Sequence, residues 1–320
     1  MNSSYLALLL LSTTLFTGCD KEEPANIMNP ERKLIVDGII TNGPDDNYVR
    51  LLLSDNKIYD SLGYQYSSLT VVNNALVIVS DDQGNVDTLN QYHYGYDRLH
   101  GSPDNQGDST IDTEGYYYIK KIKGRPGHTY FLYINYSQKE YRASSFMKDV
   151  PQIDSLKFDK TWDPVKSQNY YPPLVSFKKM QTQENYYFFI LAVGIWGSNC
   201  PESSYEMLDF LTGRTFNMTI IKDANLAPYV SGLDVGKGKA PDYWLTSYTW
   251  ANPGDTVKIR MFSTSKAGYQ YFEALFKQID NDGGLFNPAP TTPKGNISGG
   301  AFGYFGASAV SKIKGTVKAN

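Results

Sequence analysis

The sequence predicts a mainly β protein: two β-sandwich-like domains in tandem, the second carrying one amphipathic helix near the C-terminus. Three observations predict it. Short apolar runs alternate with turn residues along most of the 320 positions. Twenty-six tyrosines and 15 phenylalanines weight the composition toward side chains that suit a pleated, half-buried surface. One segment alone carries a 3.6-residue apolar period. The organisation that follows is a leader over 1–18, a modified cysteine with a tether over 19–32, a first β domain over 33–146, and a second over 147–320 with its helix at 266–281.

In the first domain, Lys33-Leu34-Ile35-Val36-Asp37-Gly38-Ile39-Ile40 opens the β region, and Tyr48–Leu53 follows after the turn-rich Asn42-Gly43-Pro44-Asp45-Asp46. Ala75–Val79 and Val86–Leu89 form a hairpin across Ser80-Asp81-Asp82-Gln83-Gly84-Asn85, with Gly-Asn at its turn. Tyr116–Ile119 and Thr129–Ile134 bracket the turn signal Gly124-Arg125-Pro126-Gly127. The polar, Gly- and Asp-rich stretch Tyr92–Gly115, between the hairpin and Tyr116, reads as an exposed loop.

Met147–Ser155 reads as the crossing into the second domain. Strand-like runs recur at Leu156–Phe158, Tyr186–Val193, Thr215–Ile221, Tyr243–Thr249 and Thr256–Phe262, with loops holding Tyr170-Tyr171-Pro172-Pro173 and Gly236-Lys237-Gly238-Lys239. After Ser263-Thr264-Ser265, which supply N-cap chemistry, Tyr269, Phe272, Phe276 and Ile279 recur at spacings of three and four. Asn281-Asp282-Gly283-Gly284 stops that helix. The small residues of Ala301–Val310 suit a closely packed final strand.

The N-terminus reads as an address. Met1–Gly18 has no charged side chain, and its apolar run from Leu6 to Phe16 is too short for a transmembrane helix but has the length of a secretory signal. The run ends in Thr17-Gly18-Cys19, which resembles the bacterial lipobox: the Cys19 thiolate receives diacylglycerol and the peptide is cut just before it. The n-region lacks Lys and Arg, and Phe16 stands where the lipobox usually has Leu. An ordinary secretory signal with an incidental cysteine is the alternative. Cys200 is the other cysteine. A Cys19–Cys200 disulfide competes with acylation, and Cys200 otherwise reads as a small apolar group. The run Asp20-Lys21-Glu22-Glu23 resembles the acidic export signal of surface lipoproteins in the Bacteroidota, with Lys21, Glu22 and Glu23 as its candidate residues. A solvated charge run is the other reading.

Composition and motifs exclude several chemistries. Thirty basic against 33 acidic side chains leave a net charge of −3, so a nucleic-acid binder is not expected. His93, His100 and His128 are too scattered for a zinc signature, and no phosphate or dinucleotide loop occurs. Asp104–Asp108 and Asp280–Gly283 lack the spacing of a calcium loop and read as turns. No catalytic residue, metal site or cofactor is expected. Tyr59, Tyr64, Tyr66, Tyr92, Tyr94 and Tyr96 fall in loops, where tyrosine suits contact surfaces.

The C-terminal text carries a resemblance. Asn252-Pro253-Gly254-Asp255-Thr256-Val257, the helix Gly268–Gln278, Gly283-Gly284-Leu285-Phe286-Asn287-Pro288-Ala289-Pro290, Gly295-Asn296-Ile297 and Gly303–Val310 are similar to the Bacteroidota lipoprotein family known as domain of unknown function 4249. Leu34–Gly38, the Ala75–Leu89 hairpin, Tyr141–Ser145 and Val150–Leu156 agree with it, and Gly295-Asn296-Ile297 followed by Gly303-Tyr304-Phe305 is the most specific part. The resemblance implies an outer-membrane lipoprotein held by palmitate-type chains on Cys19 and facing the cell surface. It also implies a β-barrel partner, a TonB-dependent receptor of the SusC type. It carries over no activity. The function expected is a non-enzymatic accessory subunit that captures or covers substrate, with a free-standing glycan- or peptide-binding lipoprotein as the alternative.

Overall fold

Strands, some alternating buried with exposed side chains and others buried on both faces, make up most of the computed structural model, which describes residues 32–44, 47–54, 70–91, 115–163, 167–180, 184–194, 218–236, 251–279 and 293–318. Arg32 apart, they belong to one contact unit, Lys33–Asp55 with Tyr66–Asn320. The molecule is mainly β; among the described residues there is one α-helix, near the C-terminus, and the several sheets are consistent with β-sandwich-like domains.

The first sandwich faces a five-stranded sheet against a four-stranded one. Its five-stranded sheet runs β17 (Phe302–Ser308), β1 (Leu34–Thr41), β2 (Tyr48–Leu53) and β3 (Thr70–Val71), with β6 (Tyr116–Tyr118) also pairing to β2. The other runs β5 (Val86–Leu89), β4 (Leu76–Asp81), β7 (Thr129–Tyr136) and β8 (Lys139–Phe146). Val36, Val49, Leu51 and Phe305 from one sheet and Val77, Val79, Leu132 and Ile134 from the other share one apolar cluster. At the β4–β5 turn the Asp81 carboxylate accepts from the backbone N–H groups of Gln83 and Asn85, and Gly84 takes φ +85°, so the expected hairpin is present.

A three-stranded sheet, β15 (Tyr229–Asp234), β12 (Pro173–Lys178) and β9 (Ile153–Phe158), packs on a four-stranded one, β14 (Met218–Lys222), β13 (Tyr186–Gly194), β16 (Thr256–Thr264) and β18 (Val310–Thr316). The contact is aromatic: the Phe177 ring lies 6.1 Å from Tyr187 and 6.3 Å from Phe189. β10 (Thr161–Asp163) and β11 (Gln168–Tyr170) form a separate ribbon. Helix α1 (Lys266–Ile279) starts where the sequence places it, and the Ser265 hydroxyl accepts the Gly268 N–H at 3.0 Å as an N-cap.

Several strands were not foreseen. β8 buries Tyr141, Ala143 and Ser145 on its inner face, and small or polar inward residues hide the strand period. β11 and β12 occupy sequence read as loop; Pro173 is tolerated because it is the first residue of its strand. β15 is broken in pattern by Gly232 at φ +66°. The single final strand is two, with β18 following β17. β9 begins at Ile153, inside the stretch read as a crossing. The strand expected over Tyr243–Thr249 lies outside the described residues.

The chain drawn as the second domain also returns to the first. β17 runs parallel to β1, Ile35 opposite Phe302 through Thr41 opposite Ser308. Gly303 sits in this pair at φ +105°, where a Cβ would collide with the Val36 carbonyl. The Asn296 amide acts as a short extra strand beside it. Its Oδ1 accepts the Phe305 N–H at 2.9 Å, and its Nδ2 donates to the Phe305 carbonyl at 2.8 Å and the Ser144 carbonyl at 3.2 Å. Ser298 N–H donates to the Arg142 carbonyl, and its hydroxyl accepts the Arg142 N–H. The Gly295-Asn296-Ile297 motif is thus a latch tying β17 of one sheet to β8 of the other.

Candidate functional site

Strand register assembles one polar row on the outer face of the five-stranded sheet. Residues directly paired across strands lie on the same face. Tyr304 pairs with Asp37, Asp37 with Arg50, and Arg50 with Tyr116, so β17, β1, β2 and β6 present a tyrosine, a carboxylate, a guanidinium and a tyrosine side by side. Asp37 and Arg50 are buried. Opposite charges in register favour the pairing, and buried charges require such company. The Tyr48 hydroxyl donates to Asp37 Oδ2 at 3.2 Å, the Arg50 guanidinium lies 4.8 Å from the Tyr116 ring centre, and Tyr48 meets Tyr116 edge-on at 5.2 Å.

Helix α1 roofs the tyrosine end of the row. Tyr271 stacks on Tyr304 at 5.3 Å, and Phe272 packs on Phe188, which stacks on Phe262 at 4.6 Å. The Tyr304 hydroxyl shares a 2.9 Å hydrogen bond with Ser265, the helix cap. Burial pushes the Tyr271 phenol far above its ordinary value, and the Asp37 charge adds to this. Tyr304 is raised by burial, with the Ser265 bond opposing. A cavity of about 20 Å³ opens between Asp37, Thr264, Tyr271 and Tyr304. That volume holds about one water. The row can hold a water or fix the helix, but it has no room for an organic substrate.

The outer face of the β5–β4–β7–β8 sheet is different in kind. Register places Val86, Ser80, Phe131 and Ser144 in one row and Thr88, Ile78, Tyr133 and Arg142 in the next. Val86 is 57% exposed, Phe146 48%, Leu76 46% and Phe131 43%, an unusual share for large apolar side chains on one sheet. At the β8 side Arg142 lies 4.7 Å over the Tyr133 ring and donates to Glu140 at 2.9 Å, while the Tyr133 hydroxyl donates to Glu140 at 3.0 Å. The Arg142 bond, then the Tyr133 bond, holds the Glu140 carboxyl below its usual range. The face intersperses exposed apolar side chains with small polar ones, and its charges at the β8 side neutralise each other.

On the β13–β16–β18 sheet, Lys258 faces Lys314 and Arg260 faces Lys312, and the buried Arg260 guanidinium lies 5.4 Å from the Phe262 ring. Each of these four cations has interactions of its own. Asp223 is a closed polar node, accepting from Asn185 N–H at 2.8 Å and Asn185 Nδ2 at 3.0 Å. His128 contacts Asp82 at 2.8 Å on the surface. Among the described residues no three His, Cys, Asp or Glu side chains could hold a metal ion, and no helix is long and apolar enough to cross a membrane.

Cys19, Lys21, Glu22 and Glu23 lie outside the described residues, as do Cys200, His93, His100, the six loop tyrosines, Asp104–Asp108 and Asp280–Gly283. The Asp37–Arg50 row was not anticipated from sequence, although its signal was present: one acid inside Leu34–Ile40 and one base inside Tyr48–Leu53, each in an otherwise apolar strand. No curated protein and no solved structure matches the chain. A family model described as domain of unknown function (DUF4249) matches residues 20–314. With the match spanning nearly the whole sequence, the chain belongs to the DUF4249 family.

Proposed function

We propose that the protein is a lipid-anchored accessory subunit of an outer-membrane β-barrel, a TonB-dependent transporter of the SusC type, and that it binds or covers substrate rather than catalysing a reaction. The observation that carries this reading is Cys19, set between an apolar leader and a β body whose first strand begins at Leu34. The family match begins at residue 20, directly after that cysteine. Each buried methylene of an acyl chain contributes roughly 0.8 kcal/mol, so a single chain binds a membrane marginally and two or more hold it stably. Diacylglyceryl-Cys19 would supply the two. Lys21, Glu22 and Glu23 would then act as the export signal that puts the anchored body on the cell surface.

Co-purification in mild detergent at native expression tests the subunit reading. The expected result is recovery with a β-barrel membrane protein; repeated recovery of the chain alone would count against it. Replacing Lys21, Glu22 and Glu23 with alanine should leave acylation intact while lowering cleavage by protease added to whole cells. Unchanged cleavage would remove the export signal and leave the anchor standing. A second reading, a glycan- or peptide-binding lipoprotein without a barrel, is favoured by the aromatic side chains Phe131, Tyr133 and Phe146 on one exposed sheet face. Soluble protein lacking 1–19 that binds a glycan or peptide array unaided would support it.

A further inference from the structure

We infer from the fold alone, independently of the anchored-subunit reading, that residues 293–318 are a closing strap. Neither sandwich has a stable fold of its own, and both complete together only when the last strands of the chain are seated.

Removing β17 would undo the first sandwich at three points. Seven of the eight residues of β1 are buried. A strand buried on both faces belongs in the middle of a sheet. β1 is in the middle because β17 flanks it on one side and β2 on the other. Without β17, β1 becomes an edge with a row of unpaired backbone groups beside Val36 and Ile40, and the core loses Phe305 and Ala307. The same segment closes the seam to the opposite sheet. Asn296 and Ser298 bond to β8, and the Ala307 N–H donates to the Ser145 hydroxyl at 2.9 Å. In the second sandwich β16 loses its partner β18. Native stability is a small remainder of large opposing terms, so a sandwich lacking a strand, a core ring and its seam does not stay folded.

The strap also binds the two sandwiches into one unit. β17 passes into β18 through Ala309, which is fully buried. The Ala309 N–H donates to the Ser263 hydroxyl at 2.9 Å, and its carbonyl accepts the Ser263 N–H at 3.0 Å. The Val310 N–H donates to Asn42 Oδ1 at 2.9 Å, and the Ser311 hydroxyl accepts the Ile153 N–H at 3.0 Å. Three consecutive residues thus fasten β16, the turn after β1, and the start of β9. One apolar cluster continues across them, holding Val77 and Leu132 of the first sandwich with Phe177, Phe189 and Ile259 of the second. Elements that share a core and a continuous strand open as one cooperative unit. Chain order sets the timing: β1, the first strand made, waits for β17, the last but one. On the lipid-anchored reading, that delay would keep an exported chain threadable until its C-terminus has crossed.

Native-state hydrogen exchange on the full chain tests the coupling, with the slowest amides of β4 reporting on the first sandwich and those of β13 on the second. Ile134→Val and Ile259→Val each remove one methyl group from a fully buried side chain, one in each sandwich. Each should speed exchange in β4 and β13 by a common factor of about five. Gly303→Ala, within the strap, should speed both by roughly 100-fold. Ile134→Val acting on β4 alone, or Ile259→Val on β13 alone, would show two independent sandwiches and overturn the inference. The timing is read on wild-type chains stalled on the ribosome, in which a C-terminal linker either frees residues 293–318 or holds them inside. A protease-resistant body is expected only with the long linker. A resistant fragment covering 33–146 with the short linker would overturn the strap. These wild-type chains and the two isoleucine variants decide the matter even if Gly303→Ala fails to fold.

Discussion

Asn296 shows how much one side chain can organise. Its amide satisfies both the N–H and the carbonyl of Phe305, which would otherwise end a strand edge unpaired. Leaving two part-buried backbone groups without partners costs about 2–3 kcal/mol in sum. Asn296→Ala should lower stability by that amount in urea denaturation, and Asn296→Asp by a similar amount, because it keeps the acceptor but loses both donations. Tyr187 is the opposite case. Its hydroxyl is fully buried and finds no hydrogen-bond partner among the described residues. Tyr187→Phe removes an unsatisfied group without leaving a ring-sized void, so it should raise stability by about 1 kcal/mol. A lower denaturation midpoint would mean that the hydroxyl is satisfied after all.

At the scale of elements, local pattern and long-range pairing divided what the sequence could reveal. β1, β2, the β4–β5 hairpin and α1 were legible because each carries its own signal: an apolar run, a Gly-Asn turn, or a capped 3.6-residue period. β8 was not, because Ala143 and Ser145 face inward where a larger apolar residue would have announced a strand. The return of β17 to β1 has no local signal at all, since parallel partners more than 260 residues apart are chosen by packing. The Asp37–Arg50 row was hidden for the same reason; each residue was visible, but its neighbour was fixed only by register. The reading of Cys19 rests on a sequence motif alone, which needs no tertiary context. The β17–β1 pairing gives its own prediction. Gly303→Ala forces a methyl group toward the Val36 carbonyl at a positive φ and should cost about 3 kcal/mol or more, read as a shift in denaturant midpoint with little change in slope.

For the whole molecule, buried phenols set the alkaline limit. Tyr271 and Tyr187 are raised from an ordinary value of 10.0, mainly by burial. A group whose folded pKa is raised lends stability in full below its unfolded value, and that stability is lost as pH rises toward the folded one. Unfolding should therefore be promoted above about pH 10, and Tyr271→Phe should make the alkaline limb of stability against pH shallower than wild type. Carboxylates act in the other direction. At Asp81, burial raises the pKa, but the hydrogen bonds from Asn85 and Gln83 outweigh it and leave the group below 3.8. The stability it lends is present above that value and lost as pH falls through the lowered one.

All these effects concern a body that would fold the same way with or without a lipid, so they leave the central claim to a separate measurement. That claim is attachment of the protein to a membrane through Cys19. Wild type and Cys19→Ala, expressed at native level with a labelled fatty acid and fractionated, test it most directly. The account predicts label and membrane association for wild type, neither for the variant, and the same melting temperature for both. An unlabelled wild type found in the soluble fraction would contradict it.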